Sequence, residues 1–74
     1  MGTVYSTVQH INIDTDLYQI RSVDTDKETY FIVSRSGEAF FRVWRDKEGE
    51  WQTNGEVTLN VFNQIVREIS IRYE

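Results

Sequence analysis

The side chains best suited to chemistry are two carboxylate pairs with one spacing, Asp14-Thr15-Asp16 and Asp24-Thr25-Asp26. Carboxylates two residues apart recur in calcium loops, but those loops also need further oxygen ligands and a glycine at the bend. Neither pair has them. Residues 17–23 between the pairs read as a strand, which sets the pairs roughly 25–30 Å apart at ~3.3 Å per residue. Both are therefore read as turn formers, a role that aspartate and threonine fill well. No metal and no cofactor is assigned. His10 is the only histidine. Catalysis through it needs a nucleophile or carboxylate held against it, and none stands at a telling spacing. Acids as numerous as the twelve here could be paired in almost any fold, so their number does not point to glycoside chemistry. The chain has no cysteine, which removes disulfides and cysteine zinc sites. Met1-Gly2-Thr3-Val4-Tyr5-Ser6 has the spacing of an N-myristoylation signal, a short pattern that chance supplies often. No catalytic residue is assigned, and the expectation is a non-enzymatic protein.

The stronger constellation is aromatic. Residues 29–45, TYFIVSRSGEAFFRVWR, read as a hairpin with two β-branched and aromatic arms around Ser36-Gly37. With a two-residue loop, residues equidistant from the turn are opposite each other and share a face. One face then holds Tyr30, Ile32, Ala39, Phe41 and Val43. The other holds Phe31, Val33, Phe40, Arg42 and Trp44. Both are apolar, so the sheet needs two covers, and a chain of 74 residues has little to cover them with. Aromatics and arginine are the residue types enriched at interaction hot spots. Phe31, Val33, Phe40, Arg42 and Trp44 are therefore the expected partner-binding residues. Phe41 goes to the core, because its face carries no charge.

The remaining elements must hold that hairpin in place. Residues 3–13 fit a helical stripe through Val4, Val8 and Ile11, or a strand side through Tyr5, Thr7, Gln9, Ile11 and Ile13. Their β-branched content favours the strand. Strands are expected over 17–23, 28–35, 38–45 and 50–53. A four-residue loop at 24–27 puts Tyr18 and Ile20 on the Phe31 face, and an odd loop puts them on the Tyr30 face. Asp46-Lys47-Glu48-Gly49 has the chemistry of a type I turn closed by a glycine bulge, which sends Trp51 to the Phe41–Val43 face, whereas an even loop pairs it with Trp44. Thr58 can cap a helix whose buried stripe is Leu59, Phe62, Ile65, Val66, Ile69 and Tyr73. An alternative closes Asn54-Gly55 as a hairpin onto Val57, Leu59 and Val61. The helix is preferred, because Asn63, Gln64, Arg67 and Glu68 gather on one polar side. Ile71 falls on that side and does not fit. The expected fold is α+β: a single domain, 1–74, with an antiparallel meander of three to four strands and one C-terminal helix packed on it.

Net charge is −4, which opposes general nucleic-acid affinity. Charge is uneven, however. Arg35, Arg42 and Arg45 cluster on the hairpin, while acids gather at the turns. In element order alone, residues 17–73 resemble the three-stranded DNA-binding domains of some integrases and plant transcription factors. That resemblance implies a basic sheet in the major groove; the nucleic-acid-binding residues expected from the uneven charge itself are Arg35, Arg42, Trp44 and Arg45. No apolar run approaches the ~20 residues that span a membrane, and no signal peptide is visible, so the expected location is cytoplasmic. The leading expectation is a small interaction module that binds a protein partner or forms a homodimer. A nucleic-acid-binding domain is the alternative.

Overall fold

A computed structural model describes residues 2–73; Met1 of the myristoylation-like pattern lies outside the described residues. The strands are β1 (Val4–Tyr5), β2 (Gln9–Ile13), β3 (Asp16–Asp24), β4 (Thr29–Arg35), β5 (Phe41–Arg45) and β6 (Trp51–Thr53), and α1 (Leu59–Tyr73) follows them. All pairings are antiparallel. The fold is α+β, a meander closed by one helix, with more strands than the three to four expected.

Residues 3–13 take the strand reading, in two pieces. Both β1 and β2 pair with β3, and the register shifts by one residue between Tyr5↔Val23 and Gln9↔Ile20. Ser6 sits at the shift. Its N–H donates to the Ser22 carbonyl at 3.0 Å, and its Oγ accepts the Ser22 N–H at 2.9 Å. A hydroxyl thus replaces the missing ladder carbonyl as the acceptor for the Ser22 N–H.

The Asp-Thr-Asp segments are turns at opposite ends of β3. Ile13 pairs with Asp16, so Asp14-Thr15 is a two-residue loop, with Asp14 at φ 56°. Aspartate tolerates the left-handed conformation better than most residues. At the other end Asp24 pairs with Thr29. Thr25 Oγ1 there accepts the N–H groups of Lys27 and Glu28. The even loop puts Tyr18 and Ile20 in the same face as Phe31, with Ser22 opposite Phe31 and Ile20 opposite Val33.

The β4–β5 hairpin departs from expectation. Ser36-Gly37 does make a turn: Glu38 N–H donates to the Arg35 carbonyl at 2.9 Å, and Gly37 has φ 80°. Positive φ falls on the second central residue only, the arrangement of a type II turn. Type II turns splay strands, whereas the primed turns match their twist. The arms do not pair beside this turn. Val33 faces Phe41 and Phe31 faces Val43, with Tyr30 opposite Trp44 and Ile32 opposite Arg42. Residues 38–40, expected in the strand, belong to the connection instead. A one-residue change of register exchanges every partner between faces. Phe31, Val33, Phe41 and Val43 now share one face, and Tyr30, Ile32, Arg42 and Trp44 share the other.

The helix covers the Phe31 face. Thr58 caps it, its Oγ1 accepting the Val61 N–H at 3.2 Å. Ile65 and Ile69 are fully buried against Ile11, Ile13, Tyr18, Ile20, Phe31, Val33 and Val43. Phe41, Trp51, Val61, Phe62 and Tyr73 pack around them. The buried stripe thus uses Val61 in place of Leu59, which is 72% exposed. Ile71 is exposed on the far side, as its position on the polar stripe predicts. The helix end is tied down by Tyr73, whose ring centroid lies 5.2 Å from that of Phe31, and by a 2.6 Å bond from Arg72 Nη1 to Gln9 Oε1.

Asp46 organises the β5–β6 turn. Its Oδ1 accepts the N–H groups of Glu48 and Glu50, each at 2.9 Å, and its Oδ2 accepts from Gln52 Nε2 at 3.1 Å. Gly49 has φ 84°, the left-handed residue that the bulge turn requires. Thr53 therefore stands opposite Val43, and Trp51 joins the core side, 6.0 Å from Phe31 between ring centroids.

Candidate interaction surface on the open sheet face

The face away from α1 is built in rows across the strands. One row runs Arg21, Ile32, Arg42 through β3, β4 and β5. The next runs Tyr5, Val23, Tyr30, Trp44, Gln52 from β1 to β6. Beyond the arginine row come His10, Gln19 and Ser34. Val23 is fully buried yet lies outside the cluster under the helix, so this face holds a small apolar centre of its own. No open-face position in these ladders carries an aspartate or glutamate.

Both arginines lie over tyrosine rings. Arg42 Cζ is 4.6 Å from the Tyr30 ring centroid, and Arg21 Cζ is 5.8 Å from that of Tyr5. Stacking of this kind holds a guanidinium flat and leaves its edge donors available. Arg21 is half-buried, and its Nε is buried with no hydrogen-bond partner. The backbone of β5 is anchored at Arg42, whose N–H donates to Asn54 Oδ1 at 2.8 Å. A groove of about 490 Å³ crosses this surface, lined by Val8, Gln19, Arg21, Ile32, Phe40, Arg42 and Asn54 among others. Phe40 rises from the 36–40 connection and is 71% exposed, walling the groove.

The expected partner-binding residues are split by this arrangement. Arg42 and Trp44 are on the open face and Phe40 borders it. Phe31 and Val33 are in the helix-covered core, 6% and 0% exposed. Tyr30, Ile32, Arg21 and Tyr5 occupy the open face with Arg42 and Trp44. Tyr30 and Ile32 join Arg42 and Trp44 because β4 and β5 pair one residue away from the expected register, whereas Arg21 and Tyr5 come from β3 and β1, whose faces the hairpin alone does not fix. The alternation of β4 was legible, but its partner strand decides which half of it faces the helix.

The basic strip is split as well. Arg35 and Arg45 are in register positions on the helix side. Arg35 pairs with Glu38 and with Asp16. Its hydrogen bond to Glu38 raises the arginine pKa and lowers that of the glutamate. Arg45 Cζ lies 4.6 Å from the Trp51 ring centroid. Only Arg42 and Trp44 of the four expected nucleic-acid residues share the open face.

Family models, curated proteins and solved structures return no match to this chain. The functional reading therefore rests on the surface itself. His10 is exposed at the sheet edge opposite Gln19. Among the described residues, no three histidine or acidic side chains gather as a metal site. None of the described helices is long and apolar enough to cross a membrane.

Proposed function

We propose that this protein is a small non-enzymatic interaction module that engages a protein surface, on a partner or on a second copy, through its open sheet face. The observation that carries this reading is the pairing of two features. The single helix is spent on the Phe31 face, and the face it leaves holds Tyr5, Tyr30, Ile32, Trp44, Arg21 and Arg42, bordered by exposed Phe40. Aromatic and arginine side chains supply large contact area and planar donors, the features of binding hot spots. The acidic balance and the division of the arginines between two faces favour protein over nucleic acid. A cytoplasmic setting accompanies the proposal.

A photo-cross-linking residue at position 32, compared with one at position 71 on the exposed helix side, tests the surface. Adducts dependent on position 32 support it, and sedimentation over a range of concentrations tells a second copy from another protein. Equal adducts from both positions, with a monomer at every concentration, would overturn it.

A further inference from the structure

We propose that the occupant of the open face is an acidic peptide segment, with carboxylates on Arg21 and Arg42 and an apolar side chain between them over Ile32. This rests on the open face being an interface. It goes further in naming the partner's chemistry.

Charge complementarity carries the proposal. The chain has twelve acidic residues, yet none occupies an open-face ladder position. Arg35 and Arg72 on the other side are paired with Glu38 and Glu68. Arg21 and Arg42 lie over aromatic rings, and the acid that borders a pocket with Arg42 is Glu28, in the β3–β4 connection. The buried Nε of Arg21 is an N–H without an acceptor. That atom is closed to a ligand from solvent, so an incoming carboxylate would meet the terminal Nη donors of the guanidinium instead. Arg21 and Arg42 are two strands apart, about 10 Å at 4.7–4.9 Å per strand. Acidic residues two to four positions apart in an extended segment span roughly 7–13 Å. Ile32 lies between the arginines, and Val8 and Phe40 add apolar lining elsewhere in the groove.

Two other occupants fit less well. A second copy docked face to face would bring two further arginines and no acid to pair with them, so the buried charges would be of one sign. A nucleic acid carries a charge at every phosphate and is repelled by a protein of net charge −4. Two arginines release too few counterions to offset that repulsion.

The probe is a set of fluorescein-labelled decapeptides with two glutamates spaced by two to four residues around a leucine or phenylalanine. Fluorescence anisotropy is read against glutamine-substituted counterparts and against a single-stranded oligonucleotide. At least one glutamate peptide is expected to bind, and its glutamine counterpart about tenfold more weakly. Arg42→Gln, at an exposed site, should weaken binding about tenfold while leaving thermal unfolding in place. Added salt should weaken binding too. Equal binding of glutamate and glutamine peptides, full affinity in Arg42→Gln, or no binding by any peptide at millimolar concentration would each overturn the proposal. Tighter binding of the oligonucleotide would overturn it in favour of a nucleic acid. A dimer dispersed by Trp44→Ala but indifferent to Arg42→Gln would also overturn it, yet would leave the interaction-module reading standing. Indifference of every binding signal and of sedimentation to both Trp44→Ala and Ile32→Asp would remove that reading as well.

Discussion

Val33 stands opposite Phe41 across the β4–β5 ladder, and both belong to the side that α1 covers. A two-residue Ser36-Gly37 loop would have placed Ile32 there. This one pairing decides that Phe31 and Val33 are core and that Tyr30 and Ile32 are surface. It also keeps Arg42 and Trp44 together on the open side.

Phe41→Ala and Trp44→Ala should therefore behave differently. Phe41 is half-buried among core residues and packs over Gly55, so its truncation should cost about 3 kcal/mol and leave a marginal fold. Trp44→Ala removes a ring from the uncovered face and should retain the native circular dichroism spectrum. Urea denaturation of both variants checks this. A larger loss of stability for Trp44→Ala would reverse the assignment of the two faces.

Three glycines separate backbone strain from steric exclusion. Gly37 and Gly49 have φ 80° and 84°, with open space where a Cβ would sit. Substitution there should cost ~1–2 kcal/mol through the backbone alone, with Gly49→Val above Gly37→Ala because the branched side chain is the more restricted. At Gly55 a Cβ would meet Phe41 Cγ at 2.5 Å. Gly55→Ala should cost about 1–3 kcal/mol as overpacking, and much less in a Phe41→Ala background. A double-mutant cycle by chemical denaturation measures that coupling. Additive effects would show that Phe41 does not pack over Gly55.

Asp14→Gly is expected to stabilise. The aspartate holds φ 56° in a two-residue loop, and glycine accepts that conformation without the Cβ clash. Relief of a left-handed strain of ~1–2 kcal/mol exceeds the ~0.5–1 kcal/mol cost of the greater unfolded-state freedom of glycine, for a net gain of up to about 1 kcal/mol. Thermal unfolding reads it, and a lower melting temperature would show that the Asp14 side chain contributes more than its backbone strain costs.

Acid should loosen the β5–β6 turn. The Asp46 carboxylate is held below its ordinary value of 3.8, chiefly by the Glu50 N–H, then by Gln52 and the N–H groups of Glu48 and Gly49. A carboxylate with a lowered folded pKa contributes stability that is fully present above the ordinary value. That contribution is lost as the pH falls through the lowered one. Asp46→Asn should thus be least stable relative to the parent at neutral pH, and the difference should shrink below about pH 3.8. Melting temperatures of both proteins from neutral to strongly acidic pH provide the test. A constant difference would mean the charge is not what matters. Glu38, lowered by Arg35, should add a parallel loss below its ordinary value of 4.5.

The local elements were legible in the residues themselves. Aspartate and threonine in the two turns of β3, the Asp46–Gly49 bulge turn and the Thr58 cap each follow from interactions within a few residues. So does the helical stripe through Phe62, Ile65 and Ile69. The bulge reading of Asp46–Gly49 puts Trp51 on the Phe41 side and an even loop puts it beside Trp44; Gly49 at φ 84° decides for the first. The β4–β5 face assignment could not be read in the same way. The chain shows that Tyr30–Ile32 and Phe31–Val33 alternate, but which pair joins Phe41 depends on a single residue of register. That register depends on where the arms begin to pair after a splayed turn, and thus on contacts with β3, β6 and α1. Helix-side packing favours the register that buries Phe31, Val33, Phe41 and Val43 together. Composition determined that aromatics and arginines would be present in excess of what one helix can cover. Only the tertiary structure decided that Arg21, from a strand outside the hairpin, would stand in line with Arg42.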